Sequence, residues 1–162
     1  MPKSYGQGEW EWNEALTLDR VFKDLKKKYP NVDIIGGGDT NIKGLSNNNA
    51  FASDEYKLNY VDFDTNKEDY LTSLSTKHYA YAKNSSYDKW FIYDYGQLNV
   101  LAQQSNIPYK FDVLQAYQKG YWDKQAAISS FHKTDPNKGK PTNLQLVSKV
   151  SDHAPILLDV QY

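Results

Sequence analysis

The stretch Val32-Asp33-Ile34-Ile35-Gly36-Gly37-Gly38-Asp39-Thr40-Asn41 decides how the rest of the chain is read. A short apolar run ends in three glycines, and a carboxylate, a hydroxyl and an amide follow. A nucleotide-binding P-loop needs a lysine and a hydroxyl residue after its last glycine. A dinucleotide fingerprint needs G-x-G-x-x-G opening a helix. Neither pattern is present, and the segment "NIKGLSNNN" from Asn41 onward is a poor helix start. The run therefore predicts a strand that ends in a tight turn and presents Asp39 and Asn41. Taken alone, it is more simply an ordinary glycine turn at a strand end with Asp39 facing water.

Upstream, "NEALTLDRVFKDLKKKYP" (13–30) has helical spacing, with Ala15, Leu18, Val21, Phe22 and Leu25 three and four residues apart. Asn13 is the expected N-cap and Glu14 sits in the first turn. Lys26, Lys27 and Lys28 match the dipole at the C-terminal end, and Pro30 follows the stop. Helix, tight connection and apolar strand make an α/β pattern.

Downstream, residues 45–70 are polar and irregular, with Asn47, Asn48 and Asn49 marking a loop. "YDKWFIYDY" (87–95) is aromatic and apolar and reads as a strand. Residues 113–131 read as helical, with Gly120 weakening the pattern. "HKTDPNKGKP" is a turn-rich loop. "LQLVSKV" (144–150) and "PILLDVQY" (155–162) read as two strands flanking a bend at Ser151-Asp152-His153. With no internal repeat and no clean linker, residues 1–162 are expected to form a single domain.

Composition narrows the function classes. At 40% hydrophobic and 24% charged residues, the chain has the balance of a soluble globular domain. A formal net charge of -1 leaves no overall basic field of the kind that announces a nucleic-acid binder. A local basic edge at His132, Lys133, Lys138 and Lys140 is compatible with that balance. The absence of cysteine removes disulfides, thiolate metal sites and cysteine nucleophiles. No apolar run approaches the roughly 18 residues of a membrane span, and Met1-Pro2-Lys3-Ser4 opens no signal peptide.

Two further segments place polar groups at strand ends. Asp152 and His153 occupy the bend before "APILLDV", where adjacent side chains on extended backbone point opposite ways and serve different partners. Asp88 stands at the start of the apolar strand "KWFIY". A carboxylate there is suited to accept a ring N–H from a histidine, fixing its tautomer and stabilising the imidazolium. Each residue alone is an ordinary polar connection. Together, carboxylates, an asparagine and a histidine at strand ends form a credible phosphodiester kit, with oxygen ligands suited to magnesium or manganese. His78 and His132 lie in loop-like surroundings and are weaker catalytic candidates.

"GDTN" (38–41), "SSYDK" (85–89) and "SDHAP" (151–155), in that order, resemble the last three motifs of the endonuclease/exonuclease/phosphatase superfamily, which includes deoxyribonuclease I. "QGEWEWNEA" (7–15) and "TSLS" (72–75) are similar to the membrane-associated nucleases of mollicutes. The resemblance implies a four-layered α/β/β/α sandwich and metal-dependent phosphodiester hydrolysis of DNA or RNA, with magnesium, manganese or calcium as cofactor. It assigns Asp39 to the scissile phosphate, the attacking water and the metal, and Asn41 to a phosphate oxygen. Asp88 becomes the partner of the final histidine, Asp152 a metal-associated carboxylate, and His153 the histidine at the phosphate.

The chain departs from that family in lacking the motifs of the first half, an asparagine, a metal-binding glutamate and another histidine. The expectation is therefore the C-terminal half of a four-layered sandwich, inactive or weakly active alone and completed by a separate N-terminal half. Half a sandwich leaves the apolar faces of its strands partly uncovered, so self-association is also expected. Full-length relatives imply a membrane-associated or secreted location. A phosphomonoesterase or sphingomyelinase of the same superfamily would use the same motifs, because they handle phosphate rather than the leaving group. A non-catalytic binding module is the reading from another class. Tyr79, Tyr81, Tyr87, Trp90, Tyr117, Tyr121 and Trp122 would then stack on bases or sugars, although packing into the core and its rim is the commoner use of such residues.

Overall fold

A computed structural model describes residues 9–42, 48–59, 68–100, 108–134 and 136–161. Its elements in order are α1 (Glu9–Lys28), β1 (Ile34–Asp39), β2 (Lys57–Asn59), β3 (Asp88–Tyr93), β4 (Asn99–Val100), α2 (Val113–Gln118), α3 (Lys124–Thr134), α4 (Asn143–Val150) and β5 (Val160–Gln161), with short 3-10 turns at Asn48–Phe51 and Glu68–Tyr70. Helices and small antiparallel sheets together make this a mixed α/β chain. The main sheet has three strands in the order β1-β3-β2, and β4 pairs with β5 separately.

Helix α1 starts earlier than its sequence pattern predicts. Asn13 lies inside it and is not the cap. Ala15 and Phe22 are buried on its inner face, whereas Val21 is exposed. Phe22 leans on Tyr56, and Tyr56 meets Phe91 of β3 edge-on. With Ile42, Ala50 and Phe51 these residues form one apolar core between α1 and the sheet.

The glycine run proves to be a packing device. Gly37 pairs with Trp90 across β1 and β3. A Cβ on Gly37 would stand 2.4 Å from Cε3 of Trp90. The indole thus lies against bare backbone, which only glycine permits. A Cβ on Gly36 would meet Phe22 at an ordinary 3.5 Å.

The second half corrects two expectations. "LQLVSKV" is not a strand but helix α4, opened by a reciprocal capping box in which Thr142 and Gln145 satisfy each other's backbone N–H groups. The T-x-x-Q spacing was the signal, and the apparent alternation of Leu144, Leu146 and Ser148 concealed it. Leu146 and Val147 are buried by the helix. Among its described residues "PILLDVQY" forms a strand only at Val160–Gln161, with a single bridge from Ile156 to Lys110 before it. The polar region 45–70 also contains the unexpected short strand β2, which pairs with β3.

The stretch 113–131 splits into α2 and α3 near Gly120, whose φ of 78° a helix cannot continue. Asp112 caps α2, and the Asp123 carboxylate accepts from the N–H groups of Gln125 and Ala126 at the start of α3. Tyr117, Phe131, Leu146 and Val147 pack with Leu71, Leu74, Tyr81 and Ala154 into a second core. Among the described residues no helix is long and apolar enough to cross a membrane. Several large apolar side chains remain exposed, including Trp10 at 86% and Val150 at 62%.

Candidate functional site

The site lies at the end of β1 and the start of β3. The register sets Asp39 directly opposite Asp88. Opposed residues of an antiparallel pair share a face, so both carboxylates project on the side that carries Gly37 and Trp90. Two like charges in that relation repel, and the pair needs a compensating group.

His153 supplies it. Its Nδ1 lies 2.7 Å from Oδ2 of Asp88, and its Nε2 lies 3.8 Å from Oδ2 of Asp39. An ionised carboxylate accepts only, so Nδ1 carries the proton in that bond. The Tyr87 ring stacks beside the imidazole, with centroids 6.1 Å apart and planes 28° off parallel.

The segment "TSLS" holds this arrangement together. Ser73 and His153 form a bridge, the Leu74 N–H donates to the Asp152 carbonyl at 2.8 Å, and the Ala154 N–H donates to the Thr72 carbonyl at 2.7 Å. The Thr72 hydroxyl also accepts the Asp88 N–H at 3.2 Å and donates to the Ser85 carbonyl at 3.1 Å. One fully buried threonine thus ties the Asp88 strand to the His153 bend. From the other side the Tyr109 hydroxyl donates to the Asp88 carbonyl at 2.7 Å. Thr72 lies in the "TSLS" stretch singled out by resemblance, without this role being read from it, and Tyr109 carries no sequence signal, since their partners are distant in the chain.

Beyond β1 the chain turns sharply. The Asp39 carboxylate accepts the Asn41 N–H at 2.8 Å, an Asx turn that suits Asn41 to its φ of 52°. The Thr40 N–H and hydroxyl both donate to the Tyr87 carbonyl, at 2.9 and 2.7 Å. Asn41 is exposed beside Asp39. A cleft of about 230 Å³ opens next to this turn, between Glu11, Glu14 and Leu18 of α1 and the glycines of β1.

Burial shapes the local electrostatics. Burial raises the Tyr109 phenol, with help from Asp88, and raises Tyr87, with help from Asp39. Lys89, wholly buried on the opposite face of β3, is lowered to about 7 by desolvation, against the pull of Asp88 and Asp39.

Of the residues singled out in the sequence, Asp39, Asn41, Asp88 and His153 come together. Asp152 is exposed and joins the others through its backbone carbonyl alone. No group of three or more His, Asp or Glu side chains able to hold a metal is found among the described residues. One Asp39 oxygen is already taken by the turn. A hard divalent cation takes about six oxygens, so these residues do not by themselves fit one, and donors from substrate, water or another polypeptide would be needed. His78 is exposed in a loop, and His132 lies in the last turn of α3 against Phe131. Neither reaches the site. Among the aromatics, Tyr81 and Tyr117 are core residues, while Tyr121 is 69% exposed.

Comparison with family models, with curated proteins and with solved structures finds no match for this chain.

Proposed function

We propose that this chain is the phosphate-handling part of a metal-dependent nuclease, the C-terminal half of a four-layered endonuclease/exonuclease/phosphatase-type sandwich. What carries the reading is the continuous run Asp88–His153–Asp39, with a 2.7 Å bond on one side of the imidazole and a 3.8 Å separation on the other. A histidine oriented through Nδ1, with no close bond at Nε2 among the described residues, is arranged to meet a substrate.

In this proposal the His153 imidazolium donates from Nε2 to a phosphoryl oxygen and offsets charge building there. Asn41 donates its amide to a second phosphoryl oxygen. Asp39 orients a water and accepts its proton as the water oxygen attacks phosphorus in line. The bond from phosphorus to the leaving oxygen breaks, and that oxygen takes a proton from solvent. Magnesium or manganese would supply Lewis-acid stabilisation when bound, with donors beyond those this chain contributes. The partner is nucleic acid, and the missing donors belong to a separate N-terminal half.

The test is digestion of plasmid DNA with magnesium or manganese, with and without chelator. It is run on the chain alone and on the chain mixed with a polypeptide carrying the first-half glutamate and histidine motifs. Chelator-sensitive cleavage that disappears in Asp39→Ala and His153→Ala is expected. Cleavage that survives both substitutions, or none with either preparation, removes the proposal.

A further inference from the structure

Lys89 has no part in the chemistry described above, yet it is among the largest fully buried side chains of the protein. Burying an ammonium is costly unless its donors are satisfied. Its donors converge on two separate backbone segments. On one side the Nζ reaches the Thr40 hydroxyl at 3.0 Å and the Ile42 carbonyl at 2.7 Å. On the other it reaches the Ser86 carbonyl, with the Tyr87 carbonyl at 3.4 Å. The first segment is the turn that follows Asp39. The second leads into Asp88.

The placement follows from the sheet. Gly38 pairs with Lys89, one position inside the Asp39–Asp88 pair. The lysine therefore leaves β3 on the face opposite the two carboxylates, beneath them, and its Nζ adds side-chain bonds just beyond the strand ends, where Thr40 and Tyr87 still pair through the backbone. The Phe51 ring lies 5.4 Å from the same Nζ and shuts out water. Burial works against its charged form, and the neighbouring charges of Asp88 and Asp39 only partly offset that.

We propose that Lys89 is a positioning residue. Its Nζ braces the Thr40–Ile42 turn against Ser86–Tyr87 and so sets the separation of Asp39 from the Asp88–His153 pair. A purely apolar side chain would fill the same space but leave the turn tied only through Thr40 and Tyr87. The inference rests on the phosphodiesterase reading for its kinetic consequence alone; the brace itself is read without any substrate.

The experiment uses the full chain, together with the complementing polypeptide for kinetics. Lys89→Met and Thr40→Val are compared with Leu146→Ala, which loosens the other core. The imidazole nitrogens of His153 are observed by NMR in each, assigned by their loss in His153→Ala. Expected are shifted His153 Nε2 and Nδ1 signals in Lys89→Met and Thr40→Val, and unshifted ones in Leu146→Ala. Turnover should fall about 10- to 100-fold in Lys89→Met with KM within about twofold, the pattern of misplaced rather than missing groups. If Lys89→Met does not fold, Thr40→Val carries the test. Unchanged His153 signals in the folded variants overturn the proposal. A wild-type chain without hydrolysis, but with His153 signals that respond to Thr40→Val, would remove the nuclease reading and leave the brace standing.

Discussion

Asp39 and Asp88 face each other across β1 and β3, and His153 stands against both, 2.7 Å from Asp88 and 3.8 Å from Asp39. The imidazole therefore links the two strand ends and is oriented by its bond to Asp88. Asp88→Asn keeps the shape but lets the amide face the wrong ring tautomer. Hydrolysis by the complemented protein should fall about 100- to 10,000-fold, with the melting curve of the chain little changed. Retained turnover in Asp88→Asn would show that the histidine does not work through this bond.

The glycine run yields a contrast within two adjacent positions. Gly37→Ala drives a methyl into the Trp90 ring, with 2.4 Å available. Such overpacking costs about 1–3 kcal/mol and should lower the urea midpoint. Gly36→Ala meets Phe22 at 3.5 Å and fits. Reducing unfolded-state freedom there should leave stability unchanged or raised by about 0.4–1 kcal/mol. Equal losses at both positions would contradict the packing described for Trp90.

Helix α4 depends on its first turn. Thr142→Ala removes the side-chain acceptor for the Gln145 N–H and half of the capping box. A loss of about 0.5–2 kcal/mol is expected in denaturant unfolding, and Thr142→Asp should recover most of it. A variant indistinguishable from wild type would mean that burial of Leu146 and Val147 alone holds the helix.

Stability should rise between about pH 7 and pH 10 and fall beyond it. Desolvation lowers Lys110 to about 8 and Lys89 to about 7, from 10.5 in each case. Between those values the unfolded chain holds protons that the folded chain has released, so alkalinity favours folding. Burial raises Tyr56 to about 12 from 10.0, and raises Tyr81 and Tyr109 further. Above about pH 10 the unfolded chain loses phenolic protons first, and the slope reverses. Urea midpoints across this range check the sign, and Lys110→Met should flatten the rising part. A midpoint that falls steadily from neutral pH would refute it.

Much of the site was legible because it is written in short motifs at strand ends. "GGGDTN" and "YDKWFIYDY" announce β1 and β3 through local apolar runs; Asp39 and Asn41 stand where a run stops, and Asp88 and His153 where one begins. Helix α1 was legible through its period, though its start was not: it begins at Glu9, ahead of Asn13, with Trp12 packed against the core. Helix α4 was misread because a short apolar segment fits either period, and a capping box outweighs a weak alternation.

The amino-acid order specifies which groups are available: two carboxylates, an amide, a histidine, and glycines that admit a close neighbour. Their distances are a matter of register and of contacts far apart in the chain. The β1–β3 register opposes Asp39 to Asp88, 49 residues later by the numbering. Thr72 draws the His153 bend to that point, and Trp90 claims the space above Gly37. Such contacts have no local signature, because each is set by the burial of side chains contributed from separate segments.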